Sequence, residues 1–229
     1  DVFDIWLRGG LKKGRWSMFG DFHNQAIYSN DMRGADLLEI LDEYIENYTT
    51  VKMNINCRNT KRIAESISFF SGFTTPPFEM NQIEGDHVNQ SFWKNDKEQI
   101  AILEKQLLKL LEDDVQTKDI AILSPRKHGN SVASKLKPDL FKIKDISNSR
   151  DIIPDDDEII FSTVHSFKGM ESPVIILIDL ESISSDHSRS LFYTGMSRAS
   201  SYLSILLHNS AREDLKEIMN KKLQEQVNE

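Results

Sequence analysis

Between Ile159 and Leu207 the chain alternates short apolar runs with polar turns: IIFSTVHSFKGMESPVIILIDL, a brief link, then LFYTGMSRASSYLSILL. The order reads as strand, loop, strand, helix, strand. The runs are apolar throughout, so both faces of each strand must be covered. That is the demand of a parallel sheet wrapped by helices rather than of a half-exposed antiparallel one. The polar residues gather where the strands end, which is where open α/β sheets place their functional groups. Few other architectures accommodate this pattern.

The rest of the chain extends it. Trp16 to Phe19, Val51 to Ile55, Asp119 to Leu123 and Phe141 to Ile146 have the length and composition of strands. Ala35 to Tyr48 places Leu37, Leu38, Leu41, Tyr44, Ile45 and Tyr48 on one helical stripe. Thr60 to Phe70 predicts a helix with Thr60 as N-cap. Asp96 to Leu111, with Ile100, Leu103, Leu107 and Leu110 recurring, predicts a longer amphipathic one. A short helix is expected over Gly129 to Leu136, and a charged terminal helix over Ala211 to Val227. Residues 74–90 carry Pro, Gly and Asn and predict a loop or irregular strands. Ser147 to Asp157, polar and acidic, predicts a surface loop. No internal repeat occurs. Alternating strands and helices give an α/β fold with a mainly parallel sheet.

Charge and cysteine usage narrow the function classes. The net charge of −8 argues against a protein that coats nucleic acid over its whole surface, so any such contact must be local. Cys57 is the one cysteine, which excludes an internal disulfide and a cysteine zinc cluster. The longest apolar run, Val174 to Ile178, is too short to span a bilayer, and no signal peptide is evident at the start. The expectation is a cytoplasmic protein without a membrane partner. The sequence opens at Asp1 rather than Met, and a fragment is expected.

Four segments carry residue types suited to phosphate chemistry. Gly20-Asp21-Phe22-His23-Asn24-Gln25-Ala26-Ile27-Tyr28 follows the first predicted strand, with Arg33-Gly34-Ala35 beyond it. Asn56-Cys57-Arg58-Asn59-Thr60 lies between a strand and a helix. Thr163-Val164-His165-Ser166-Phe167-Lys168-Gly169-Met170-Glu171 links two strands, and Gly169 allows a tight turn there. Tyr193-Thr194-Gly195-Met196-Ser197-Arg198-Ala199 leads into the last strand. A guanidinium offers a charged planar fork that matches phosphate. A glutamine amide can both donate to a phosphate oxygen and accept from an attacking water. Each segment also has a plain structural reading: a common turn at Gly20-Asp21, a surface arginine at Arg58, a structural histidine at His165, a helix-end charge at Arg198.

In this order the four segments resemble the third to sixth motifs of superfamily 1 helicases of the UvrD/Rep/PcrA type, and the resemblance covers nearly the whole chain. It implies a RecA-like fold of the P-loop NTPase type, and an ATP-dependent DNA helicase or translocase of which this chain is the C-terminal part. It implies that Gln25, Arg58 and Arg198 act on the terminal phosphate of ATP. Glu171 would bind the ribose, with Gly169 beside it. Tyr28, Arg33, Thr163 and His165 would face the nucleic acid. The departures are specific. The first segment has an extra residue before Gln25 and two between Tyr28 and Arg33, and Met32 stands where the family often has Trp. Cys57 replaces a Tyr, Asn59 a Ser, and Gly195 an Ala.

No Gly-x-x-x-x-Gly-Lys-Ser/Thr stretch occurs, and no Asp-Glu pair precedes Gly20. The expected cofactors are ATP and Mg²⁺, with the metal ligands outside this chain and the isolated chain inactive. The expected partners are single-stranded or partly duplex DNA, with RNA left open, and an N-terminal RecA-like domain of the same protein. Residues 1–48 are expected to end the first RecA-like domain and 49–229 to form the second. Two alternatives stand beside this reading. One is a catalytically inactive RecA-like binding or regulatory module. The other is an unrelated α/β enzyme, favoured if the segments fail to meet on one edge of the sheet.

Overall fold

The computed structural model describes residues 7–17, 19, 42–45, 48–51, 56–71, 83–149 and 152–228. The chain divides into two compact units, Asp1–Met53 and Asn54–Glu229.

In the first unit a single helical turn, Gly10–Lys13, is followed by Trp16, whose indole donates to Leu11 O at 2.7 Å. That bond folds the Trp16 run back on the turn. The strand expected from Trp16 to Phe19 is accordingly not formed at residues 16, 17 and 19. Residues 42–44 are helical, within the stripe expected there. Gln25, Tyr28, Arg33 and most of the Val51–Ile55 run lie outside the described residues.

The second unit is a layered α/β body. In chain order it contains α1 (Lys61–Ser71), β1 (Asn89–Trp93), α2 (Asp96–Glu112), a 3₁₀ turn (Thr117–Asp119), β2 (Ile120–Ser124), two more 3₁₀ turns (His128–Asn130 and Val132–Lys135), β3 (Lys142–Asp145), β4 (Glu158–Thr163), β5 (Ser172–Leu180), α3 (Asp186–Met196), β6 (Ala199–His208) and α4 (Ala211–Asn228). The six strands pair in the order β1-β6-β5-β2-β4-β3, every pair parallel. This is the RecA-like arrangement expected of the sequence, a parallel sheet flanked by helices.

Strand alternation sorts the core into two layers. Ala121, Leu123, Ile160, Ile175, Leu177, Leu203, Ile205 and Leu207 face α1, α3 and α4. Ile120, Ile122, Ile159, Phe161, Val174, Ile176 and Leu206 face α2 and the 3₁₀ turns. Fully burying each such side chain contributes roughly 1.5–3 kcal/mol, so the central strands tolerate no register slip. β2 is buried at all five positions, as a central parallel strand requires.

Helix α2 begins at Asn95, whose side chain accepts from Glu98 N at 3.1 Å, while Glu98 Oε2 accepts from Lys94 N at 2.8 Å. This reciprocal pair satisfies one first-turn donor, Glu98 N, and the amide of Lys94 just before the cap, a variant of the capping box. Helix α1 starts differently. Thr60 does not cap it: its hydroxyl is buried without a partner. The first-turn amides of Lys61 and Arg62 donate instead to Ile83 O and Glu84 O, at 2.9 and 3.0 Å. A distant backbone segment has taken the role a side chain was expected to fill. Gly85, at φ +73°, packs so closely on Thr60 that a Cβ there would lie 2.4 Å from it.

Two other local expectations change. The short helix expected over Gly129 to Leu136 is a pair of 3₁₀ turns, because Ser131 caps the second turn and separates it from the first. Strand β1 emerges at the end of the stretch expected to be loop. Its sequence, NQSFW, lacks apolar alternation, and it is held by pairing with β6 and by the buried Trp93.

Candidate functional site

All strands run the same way, so the sheet has a distinct edge of strand starts and another of strand ends. The candidate residues divide between them.

At the strand starts, and not at the strand ends where the sequence pattern placed the functional groups, three of the four segments meet. The 56–60 loop is shaped from within: Asn56 Oδ1 accepts from the backbone N–H groups of Arg58 and Asn59, both at 3.1 Å. It is pinned from outside by Asn59, 5% exposed, whose Nδ2 donates to Ala199 O at 2.5 Å and to Ser197 O at 3.4 Å. Thr60 N adds a bond to Ser200 O at 3.2 Å. Ser172 N in turn donates to Arg198 O at 3.1 Å, tying the residue after Glu171 to Arg198 itself. Across this junction Arg58 Nε donates to Glu171 Oε2 at 2.7 Å. Arg58, Glu171 and Arg198 are thus one assembly at the starts of β5 and β6. Their sequence separations exceed a hundred residues in the case of Arg58 and Glu171.

The two arginines are held differently. The side chains of Arg58 and Glu171 are 41% and 59% exposed, open to a ligand. Arg198 is buried, with Nε donating to Thr194 O at 3.1 Å on the last turn of α3. Gly195 lies in that turn. A Cβ there would sit 2.5 Å from Leu177 Cδ2, so glycine lets α3 approach β5.

Thr163 and His165 sit at the opposite edge, where β4 ends. Thr163 Oγ1 accepts from Ser166 N at 3.1 Å and donates to Ser166 Oγ at 2.9 Å, closing a hydroxyl-capped turn. The exposed His165 ring stacks on His187, from the first turn of α3, with centroids 5.9 Å apart. Partial burial of the ring, and secondarily the neighbouring His187, hold His165 below the ordinary histidine pKa. From here residues 164–171 traverse one face of the sheet, with Val164 and Phe167 buried in its core, and reach the start of β5. Gly169 takes φ +86°, the left-handed turn that its sequence position called for. One loop therefore spans the sheet, with Thr163 and His165 at one end and Glu171 at the other.

Strand ends carry a further buried cluster that sequence reasoning missed. Asp179, 2% exposed and at φ +59°, accepts from Ser124 Oγ and Ser131 Oγ, both at 2.6 Å, and from Val132 N at 3.4 Å. Arg126 Nη1 stands 3.9 Å away and its Nη2 meets Glu181. The only sequence signal was an acid interrupting the apolar run Val174 to Leu180. Asn59 and His187 were also missed; Asn59 lay inside a segment already singled out, but nothing local shows where its side chain reaches.

Among the described residues no group of three His, Cys, Asp or Glu side chains is placed to hold a metal ion. No helix there is long and apolar enough to cross a membrane.

A parallel six-stranded sheet flanked by helices, with arginine-bearing loops at its strand starts, defines an α/β domain of the RecA-like class. Residues 158–206 match the model of the UvrD-like helicase C-terminal domain. The chain is similar in this way to the C-terminal portion of UvrD-type superfamily 1 helicases. In fold it is similar to the C-terminal domain of a possible DNA helicase from Lactobacillus plantarum WCFS1, with 19% identity, a TM-score of 0.52, and coverage of 67% of this chain and 88% of that one. The C-terminal part of the Fun30 ATPase domain also aligns, at 12% identity and a TM-score of 0.37, over 53% of this chain and 45% of that one. Among curated proteins none matches the sequence.

Proposed function

We propose that residues 49–229 form the second RecA-like domain of an ATP-dependent DNA helicase or translocase, a cytoplasmic motor, and that residues 1–48 end the first. The observation carrying this reading is the assembly of Arg58, Glu171 and Arg198 at the strand starts. Segments far apart in sequence converge there, as a nucleotide-facing edge requires.

The donor set fits a phosphate. Arg58 presents a solvent-accessible guanidinium, and among the described residues neither of its Nη atoms has a hydrogen-bond partner. ATP would be held on this side by Arg58, with Glu171 and the Gly169 turn beside it. Arg198 and Gln25 would complete the contacts to the terminal phosphate. Permanently charged guanidinium groups placed around a transferring phosphoryl group stabilise the charge that spreads in the transition state. No Asp-Glu pair precedes Gly20 in the sequence, so the magnesium ligands are placed outside this chain as part of the proposal, and no step is assigned to the metal. The chain by itself is expected to turn over ATP negligibly.

The nucleic-acid side is the opposite edge. His165 and the 163–166 turn would contact backbone phosphate or sugar, which positions a strand without reading its sequence. Tyr28 and Arg33 would extend that surface. The loop 164–171 would link the two sides, because movement of its buried middle must displace both ends.

The test is Arg198→Ala in the full protein, against Arg189→Ala as control. Arg189 pairs with Asp186 on the first turn of α3, at the other end of that helix from Arg198. Nucleic-acid-stimulated ATP turnover should fall on the order of 10³-fold for Arg198→Ala and stay near wild type for Arg189→Ala. Equal turnover in the two folded variants would end the assignment.

A further inference from the structure

Arg58 and Glu171 were assigned to different parts of a nucleotide, the terminal phosphate and the ribose. The structure pairs them with each other. We propose that Glu171 is a positioning residue for Arg58: its carboxylate holds the Nε edge of the guanidinium so that the Nη1/Nη2 edge faces the phosphate. The inference rests on the motor-domain reading above and gives Glu171 a different task within it.

Three observations carry it. First, the contact is directional. Glu171 Oε2 takes the Nε–H at 2.7 Å, and the two Nη atoms are without partners among the described residues. A guanidinium has two usable edges, and engaging the Nε side leaves the end-on fork for a second anion. Second, the backbone beneath Arg58 is already fixed. Asn56 bonds the Arg58 and Asn59 amides, and Asn59 fastens the loop to the 197–199 turn. What remains undetermined is the long side chain alone, which carries most of the rotamer freedom of an arginine. One carboxylate on a neighbouring strand start is enough to select its direction. Third, Glu171 is itself set by Ser172, whose N–H binds Arg198 O and whose hydroxyl binds Asp119 O at 2.6 Å. The backbone that carries the acid is therefore tied to the turn that carries Arg198.

The pair is half exposed, so it adds little to stability. Substitution of Glu171 should leave the fold intact, and its effects will report on the site.

The experiment combines kinetics with a direct view of the guanidinium, in the full protein. Glu171→Gln and Glu171→Ala should lower kcat for ATP roughly 10- to 100-fold, the usual consequence of losing orientation at a reacting centre, with little change in KM. The same loss is expected with 2′-deoxy-ATP and 3′-deoxy-ATP. In an Arg58→Ala background Glu171→Ala should cost less than about twofold more, since residues acting as a unit are not additive. A loss confined to ATP and absent with the deoxy nucleotides would make Glu171 a ribose ligand and overturn the proposal. Full additivity with Arg58→Ala would overturn it as well. The second arm is independent of turnover: the Arg58 Nε–H resonance should be protected from exchange in wild type and lose that protection in Glu171→Ala. Absence of protection in wild type sinks the clamp. Should Arg58→Ala leave turnover unchanged while the Nε–H is protected, the failure lies with the motor reading and not with the pairing.

Discussion

Replacing Asp179 tests whether the strand-end cluster is held by a buried acceptor. The carboxylate takes the protons of Ser124 and Ser131, which are 0% and 1% exposed, and approaches the Val132 amide. Each hydroxyl also accepts a backbone N–H, from Arg126 and Ala133, so neither can turn away without losing a second bond. In Asp179→Ala both hydroxyl protons are stranded in the interior. At about 1–3 kcal/mol per unsatisfied buried group, and with Arg126 losing a nearby countercharge, the expected loss is about 3–5 kcal/mol. For a unit of this size that lowers Tm by about 10 °C. Backbone geometry adds an internal control. At φ +59° alanine is strained, whereas glycine is not. Asp179→Gly should therefore be about 1 kcal/mol more stable than Asp179→Ala, despite removing one atom more. Asp179→Asn keeps one acceptor oxygen and tolerates the left-handed backbone, so it should fall between Ala and wild type. Denaturant midpoints at constant slope measure all three. A loss under about 1 kcal/mol in Asp179→Ala, or an alanine variant as stable as the glycine one, would refute the account.

Gly195→Ala brings a Cβ to within 2.5 Å of Leu177 Cδ2 in a filled layer; it should cost about 1–3 kcal/mol, and Leu177→Val should recover part of that in the double variant's denaturant midpoint. Asn59→Ala removes the ties to Ala199 O and Ser197 O; it should destabilise by about 1–3 kcal/mol and lower nucleic-acid-stimulated turnover of the full protein further than that loss of folded protein explains. The depressed pKa of His165 makes the folded state resist its protonation. Unfolding free energy should therefore hold steady above the ordinary histidine value near 6.5 and decline as pH drops through the lowered one. That decline should weaken in His165→Gln, and an unchanged slope in urea titrations across this window would remove His165 as its source.

What the sequence determined by itself was everything that local pattern controls. The uninterrupted apolar runs of β2, β4 and β5 demanded a sheet covered on both faces, and the spacing in α2 placed its bounds almost to the residue. Gly169 announced its turn because glycine adopts that backbone at the least steric cost. Arg58, Glu171 and Arg198 were legible as candidates because their chemistry suits a phosphate and their order followed a known set of motifs. Gln25, Tyr28 and Arg33 were legible in the same way, but they lie outside the described residues. Tertiary structure alone decided the rest. Strand β1 has no pattern of its own and exists because β6 offers an edge. Thr60 looks like a cap, yet the amides it should serve are taken by Ile83 and Glu84 from a separate segment. Asn59 and Glu171 act on partners more than a hundred residues away, and Asp179 draws its donors from the end of β2 and the start of the 3₁₀ turn Val132–Lys135. A side chain's reach is set by what folding brings beside it, and sequence spacing contains no record of that proximity.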